Sequence, residues 1–144
     1  MPGQVCVDAG LVLMLLLPHD LTPHADTAWR TWVKRDVDRI TPPLFFAQVT
    51  SVLRERVYHS QIGAEEGDAA FAAFMKLNVK SVAPADLQSR AWSAAKQYNR
   101  PRAYDAQYLA VATAAGCELW TGDQRLVRAV IAPWVKWLGD HSLR

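Results

Sequence analysis

Five short β-favouring runs are spaced along this chain, and a helical pattern fills every gap between them. The runs cover residues 5–8, 39–41, 79–82, 117–120 and 135–138. Strands separated by helices cannot be joined by tight hairpins. They need crossover connections, and these produce a mostly parallel central sheet with helices on both sides. The first run, Val5-Cys6-Val7, continues through Asp8 and Ala9-Gly10 into an apolar stretch over 11–17. A strand apolar on both faces belongs in the middle of such a sheet.

The intervening segments read as helices from their periodicity and their punctuation. Residues 9–17 form a short buried helix stopped by Pro18. Thr22 reads as an N-cap with Pro23 in the first turn, followed by Trp29, Trp32, Val33 and Val37 at helical spacing. Over 44–60 the inward positions are Phe45, Val49, Val52, Leu53 and Val57. After Gln61-Ile62-Gly63, another helix turns Phe71, Phe74 and Met75 inward. Pro84 and Asp86 open a helix carrying Leu87, Ala91, Ala94, Ala95 and Tyr98. Residues 103–115 form the next one, closed by Gly116. A short helix begins at Gln124. Trp29, Trp32, Trp92 and Trp120 fall in apolar patterns and are expected in the core; Trp134 and Trp137 are expected at an interface. With 144 residues and no linker, repeat or low-complexity segment, the chain is read as one α/β domain spanning 1–144.

Several functional classes are disfavoured at once. A net charge of +2 gives no electrostatic argument for nucleic-acid binding. Two cysteines, Cys6 and Cys117, lie in apolar strand-like runs and are expected as buried free thiols of a reducing compartment. No Cys/His spacing of the zinc type occurs. The apolar run at 11–17 has no basic segment before it and stops at Pro18, too short to span a bilayer, so a cytoplasmic protein without membrane contact is expected.

The chemistry lies in the acids. Asp8 ends the first strand and Asp123 follows the fourth after Thr121-Gly122; Asp105 sits in the first turn of the helix over 103–115. Asp8 also suits a helix cap, and an acid such as Asp105 complements a helix dipole. If the strands are neighbours, however, the acids point into one crevice at the carboxyl ends of the strands, where open α/β sheets place their ligands. Carboxylates that converge without basic partners resist ionisation. A hard divalent cation, Mg²⁺ or Mn²⁺, relieves them and supports hydrolysis of a phosphodiester.

Four stretches carry a resemblance: Val5-Cys6-Val7-Asp8-Ala9; Pro42-Pro43-Leu44-Phe45-Phe46-Ala47-Gln48-Val49 with Thr50-Ser51-Val52-Leu53-Arg54; Ala103-Tyr104-Asp105-Ala106-Gln107-Tyr108-Leu109-Ala110-Val111-Ala112; and Leu119-Trp120-Thr121-Gly122-Asp123-Gln124-Arg125-Leu126. Together they resemble the PIN domains over nearly the whole chain, the last two being the most specific. Within that family the chain is similar to the VapC-like toxins of bacterial toxin–antitoxin pairs. The resemblance implies a parallel sheet between helices and a ribonuclease using Mg²⁺ or Mn²⁺. It also implies a homodimer and an antitoxin protein that reaches into the site. Asp8, Asp105 and Asp123 match family acids as catalytic and metal-binding residues, and Thr121 matches a supporting hydroxyl. Gln48 stands where the family has a glutamate, and its amide supplies a neutral oxygen in place of a carboxylate. Glu55, the nearest acid on that helix, is ~10 Å further along the axis and does not replace it.

Of the arginines, Arg102 is assigned to RNA contact because it precedes the Asp105 motif; Arg54, Arg56, Arg100, Arg125 and Arg128 are weaker candidates for an RNA path. His19, His24, His59 and His141 take no role. Two other readings compete with a nuclease. One is a degenerate PIN domain that binds RNA or protein without cutting, which Gln48 favours. The other is a phosphoacceptor receiver domain, which lacks here its second acid near the first strand and its lysine after the last.

Overall fold

Five parallel strands in the order β3-β2-β1-β4-β5 form the frame of the computed structural model, which describes residues 3–140. His141 lies outside the described residues. The strands are β1 (Gln4–Val7), β2 (Asp38–Thr41), β3 (Lys80–Ser81), β4 (Glu118–Thr121) and β5 (Val135–Trp137). The first strand is central, with Cys6 in register with Ile40 of β2 on one side and Leu119 of β4 on the other. Val5, Cys6 and Val7 are buried, as a strand covered on both faces requires.

The helices are α1 (Ala9–Leu16), α2 (Thr22–Lys34), α3 (Leu44–Tyr58), α4 (Ala64–Lys76), α5 (Leu87–Gln97), α6 (Tyr104–Ala115) and α7 (Gln124–Val130). The helix boundaries lie within about two residues of those expected from periodicity, except that α2 ends at Lys34 and leaves Val37, expected on its apolar face, in the link to β2. Gly116 closes α6 at φ 66°, where a side-chain-bearing residue would be strained. The core is continuous, running from Leu11 and Val12 of α1 through Phe45 and Val49 of α3 to Leu109 and Val111 of α6.

Some side chains depart from the sequence expectation. Thr22 does not cap α2. Its hydroxyl donates to Met14 O at 2.7 Å, at the end of α1, and accepts from His19 N–H at 2.9 Å, so it ties α1 to α2. Trp29, Trp32 and Trp120 are buried and meet edge to face, Trp32 lying 5.7 Å from Trp120. Trp92 is instead 68% exposed: α5 buries Leu87 and Ala91, and Trp92 projects away from that narrow stripe. Val33, Phe71 and Met75 are likewise exposed, because α2 and α4 each pack through one narrow face built on Trp29 and Trp32 or on Ala70 and Phe74. Cys6 is buried and Cys117 half-buried, and both are free thiols. No helix of the described residues is long and apolar enough to cross a membrane.

Successive strands β1, β2 and β3 extend the sheet to one side, and the chain then returns to place β4 on the other. The reversal leaves a topological switch point between the carboxyl ends of β1 and β4, the position at which α/β sheets open a crevice.

Candidate functional site

Asp8 occupies that switch point. It follows β1 directly and caps α1, its Oδ1 accepting from Leu11 N–H at 2.9 Å. The backbone N–H of Asp8 donates to Trp120 O, and Gly122 N–H reaches Asp8 Oδ1 at 3.4 Å. Thr121, fully buried at the end of β4, donates its hydroxyl to Asp8 Oδ2. Burial pushes the Asp8 carboxyl up from 3.8 to about 6. The bonds from Thr121, Leu11 and Gly122 oppose this, and the charge of Asp105 adds to it. Asp8 is therefore both the expected cap and an acid under electrostatic load, a combination met at functional sites.

One turn presents Asp8's partner and the next acid together. Thr121 Oγ1 also accepts from Asp123 N–H at 2.9 Å, and Asp123 caps α7 by accepting from Arg125 N–H at 2.9 Å. The Arg125 guanidinium lies 3.3 Å from Asp123 Oδ1 but is 88% exposed, so the pair is worth little. Asp105 opens α6 and faces Arg100 at 3.4 Å; the tight turn after α5, with Asn99 at φ 52°, delivers that arginine. Tyr108, one turn after Asp105, donates its hydroxyl to Gln48 Oε1 on α3. Burial first, and then the nearby Asp8 charge, pushes the Tyr108 phenol up, so it stays a protonated donor.

Asp8, Thr121 and Asp123 are thus linked directly, Asp105 acts on Asp8 through its charge, and Gln48 joins through Tyr108. Arg102 is exposed, and it is Arg100 that reaches Asp105. Tyr108 was not singled out by sequence reasoning. Its signal was a hydroxyl-bearing aromatic three residues after Asp105, on the same face of a helix otherwise rich in small apolar residues.

Among the described residues, no three His, Cys, Asp or Glu side chains are grouped closely enough to hold one metal ion between them. Asp105 and Asp123 turn toward Arg100 and Arg125. In donor chemistry the acids do fit a hard dication, being carboxylate oxygens without imidazole or thiolate. Asp8 in particular carries a charge that burial penalises and that no cationic side chain pairs with among the described residues. A wide surface cleft lies elsewhere, at the amino-terminal edge of the sheet, against Gly3, Asp38, Gly116 and Glu118.

Comparison with known proteins adds family context. A family model described as PIN domain matches residues 6–137. The VapC ribonuclease Mb0985 of Mycobacterium bovis and ribonuclease VapC9 of Mycobacterium tuberculosis are each 30% identical to this chain over 123 residues. Each alignment covers 85% of this chain and 88% of the relative. Among solved structures, PAE2754 from Pyrobaculum aerophilum superposes with a TM-score of 0.66 at 18% identity, covering 96% of this chain and 92% of its own. VapC20 of M. tuberculosis, described as a toxin cleaving the sarcin-ricin loop, gives 0.59 at 19% identity, with 82% and 87% covered. Both share the fold.

Proposed function

The chain belongs to the PIN-domain family, and from that premise we propose that it is a metal-dependent endoribonuclease of the VapC toxin type. The observation that supports this best is the hydrogen-bonded unit Asp8–Thr121–Asp123 at the switch point, with Asp105 near enough to raise the Asp8 carboxyl. Asp8, Asp105 and Asp123 would hold Mg²⁺ or Mn²⁺. The ion supplies an activated water and charge stabilisation at the scissile phosphate. Thr121 fixes Asp8 Oδ2 and the Asp123 backbone together, so the two acids keep one orientation. Arg100 pairs with Asp105 until a cation competes for it, while the exposed Arg125 holds Asp123 only weakly.

The remainder of the reading concerns partners. Phe46, Phe71 and Met75 are exposed on neighbouring helices, with the Phe46 and Phe71 rings both about 6 Å from Phe74. This apolar face supports a homodimer or antitoxin contact. Free thiols at Cys6 and Cys117 accord with a cytoplasmic setting.

A labelled RNA mixture incubated with the protein in Mn²⁺ and in EDTA tests the proposal. Cleavage is expected in Mn²⁺ alone, with the rate ~100-fold or more lower in Asp8→Asn. Intact RNA in Mn²⁺ would rule out the nuclease. If that RNA is nevertheless bound, the alternative stands, a PIN domain that acts as an RNA- or protein-binding module. Gln48 and the arginine-paired acids favour this alternative.

A further inference from the structure

Gln48 is hydrogen-bonded in a way that takes its oxygen out of use. The partner is the Tyr108 hydroxyl on α6. Its proton goes to Gln48 Oε1. The phenol therefore acts as a donor toward Gln48, and it sets the amide with Oε1 toward Tyr108 and Nε2 away. Among the described residues nothing accepts from that Nε2, and it is not a buried orphan; Gln48 is half-buried. A glutamate here would offer only acceptors, whereas this amide offers two N–H donors.

Gln48 is tied to Tyr108, which lies close enough to Asp8 and Asp105 to be affected by their charges. Carboxylates there repel a phosphodiester, so a neutral donor beside them is worth more to RNA than to a cation. We propose that Gln48 is a substrate-positioning residue whose amide N–H donates to a phosphate oxygen of RNA lying across the carboxyl edge of the sheet. This rests on the ribonuclease reading above. A carboxylate at this position would add a repelling charge where the amide supplies a donor, and that is the exchange. Tyr108 is the positioning residue that holds the exchange in place.

Binding without cleavage tests this. Fluorescence anisotropy with a labelled 2′-O-methyl RNA oligomer is run in EDTA on wild type, Gln48→Glu, Gln48→Leu and Tyr108→Phe. Isothermal titration with Mn²⁺ follows for wild type and Gln48→Glu. The glutamate variant should bind RNA about tenfold more weakly and Mn²⁺ about tenfold more tightly. Gln48→Leu should lose about threefold in RNA affinity, and Tyr108→Phe less than that, because its amide is free to turn. The deficit of Gln48→Glu should shrink on an oligomer with uncharged methylphosphonate linkages. Wild-type RNA affinity in both Gln48→Glu and Gln48→Leu overturns the proposal and leaves the ribonuclease reading intact. A deficit unchanged on methylphosphonate RNA also overturns it. If the wild type neither binds RNA in EDTA nor cuts it in Mn²⁺, the ribonuclease reading fails and the proposal falls with it. Should Gln48→Glu not fold, the Gln48→Leu measurement decides alone.

Discussion

Asp8 combines two jobs that pull on its ionisation in opposite directions. As a cap and as the partner of Thr121 it accepts hydrogen bonds that favour the anion; burial, the larger influence, holds its carboxyl at about 6. A carboxyl whose folded value is raised contributes stability below its unfolded value of 3.8 and loses that contribution as pH rises through the folded one. The gap corresponds to roughly 3 kcal/mol. In EDTA the wild type should therefore lose stability between about pH 4 and pH 6 and stay level above that as far as Asp8 is concerned. Asp8→Asn keeps an oxygen for Leu11 N–H and Gly122 N–H but carries no charge. It should match the wild type near pH 4 and exceed it at pH 8. Urea unfolding of both proteins across this range measures the difference; a variant less stable than wild type at pH 8 would refute the account of Asp8 as a strained anion.

At the scale of elements, the pairing of α3 and α4 depends on one missing side chain. A Cβ on Gly67 of α4 would come within 2.3 Å of Val57 Cγ2 on α3, well inside contact distance. Val57 is β-branched and held in one rotamer by its helix, so it cannot simply swing away. Alanine is better than glycine in a helix by up to ~1 kcal/mol, but overpacking costs ~1–3 kcal/mol. Gly67→Ala is thus expected to destabilise by about 1–2 kcal/mol. In Val57→Ala the clash is removed, and there Gly67→Ala should be neutral or stabilising. A double-mutant cycle reads this coupling directly. The consequence reaches the site, because α3 carries Gln48 and its angle sets where the Tyr108 hydroxyl finds it.

For the molecule as a whole, the strand order 3-2-1-4-5 converts three distant stretches into one edge. Asp8 and Thr121 are separated by 113 positions in the chain, and Tyr108 and Gln48 by 60, yet each pair shares a hydrogen bond. A cation binding only the folded arrangement stabilises it by mass action, by about 2.7 kcal/mol at a hundred times its Kd. Millimolar Mn²⁺ should accordingly raise the wild-type Tm by several degrees, an effect that EDTA reverses and Asp8→Asn abolishes. Differential scanning calorimetry with and without Mn²⁺ measures it; equal shifts in wild type and Asp8→Asn would remove Asp8 from the metal site.

Much of this protein was legible in the sequence because local physics reports it. Alternating strand and helix patterns implied a parallel sheet, Gly116 marked a helix end, and acids following strands β1 and β4 marked the carboxyl edge of the sheet. Those features depend on backbone preference and short-range periodicity, which any window of a dozen residues carries. What needed the packed chain was direction and partnership. Trp92, Phe71 and Met75 belong to apolar patterns but lie outside the narrow stripe their helices bury. Thr22 has the chemistry of a cap and spends it on the end of α1. Arg100, not singled out ahead of the other arginines, is the one that pairs with Asp105. Gln48 reads as a lost carboxylate until Tyr108, sixty residues away, orients its amide. A side chain's partners depend on contacts across the sheet, and no local window of sequence contains them.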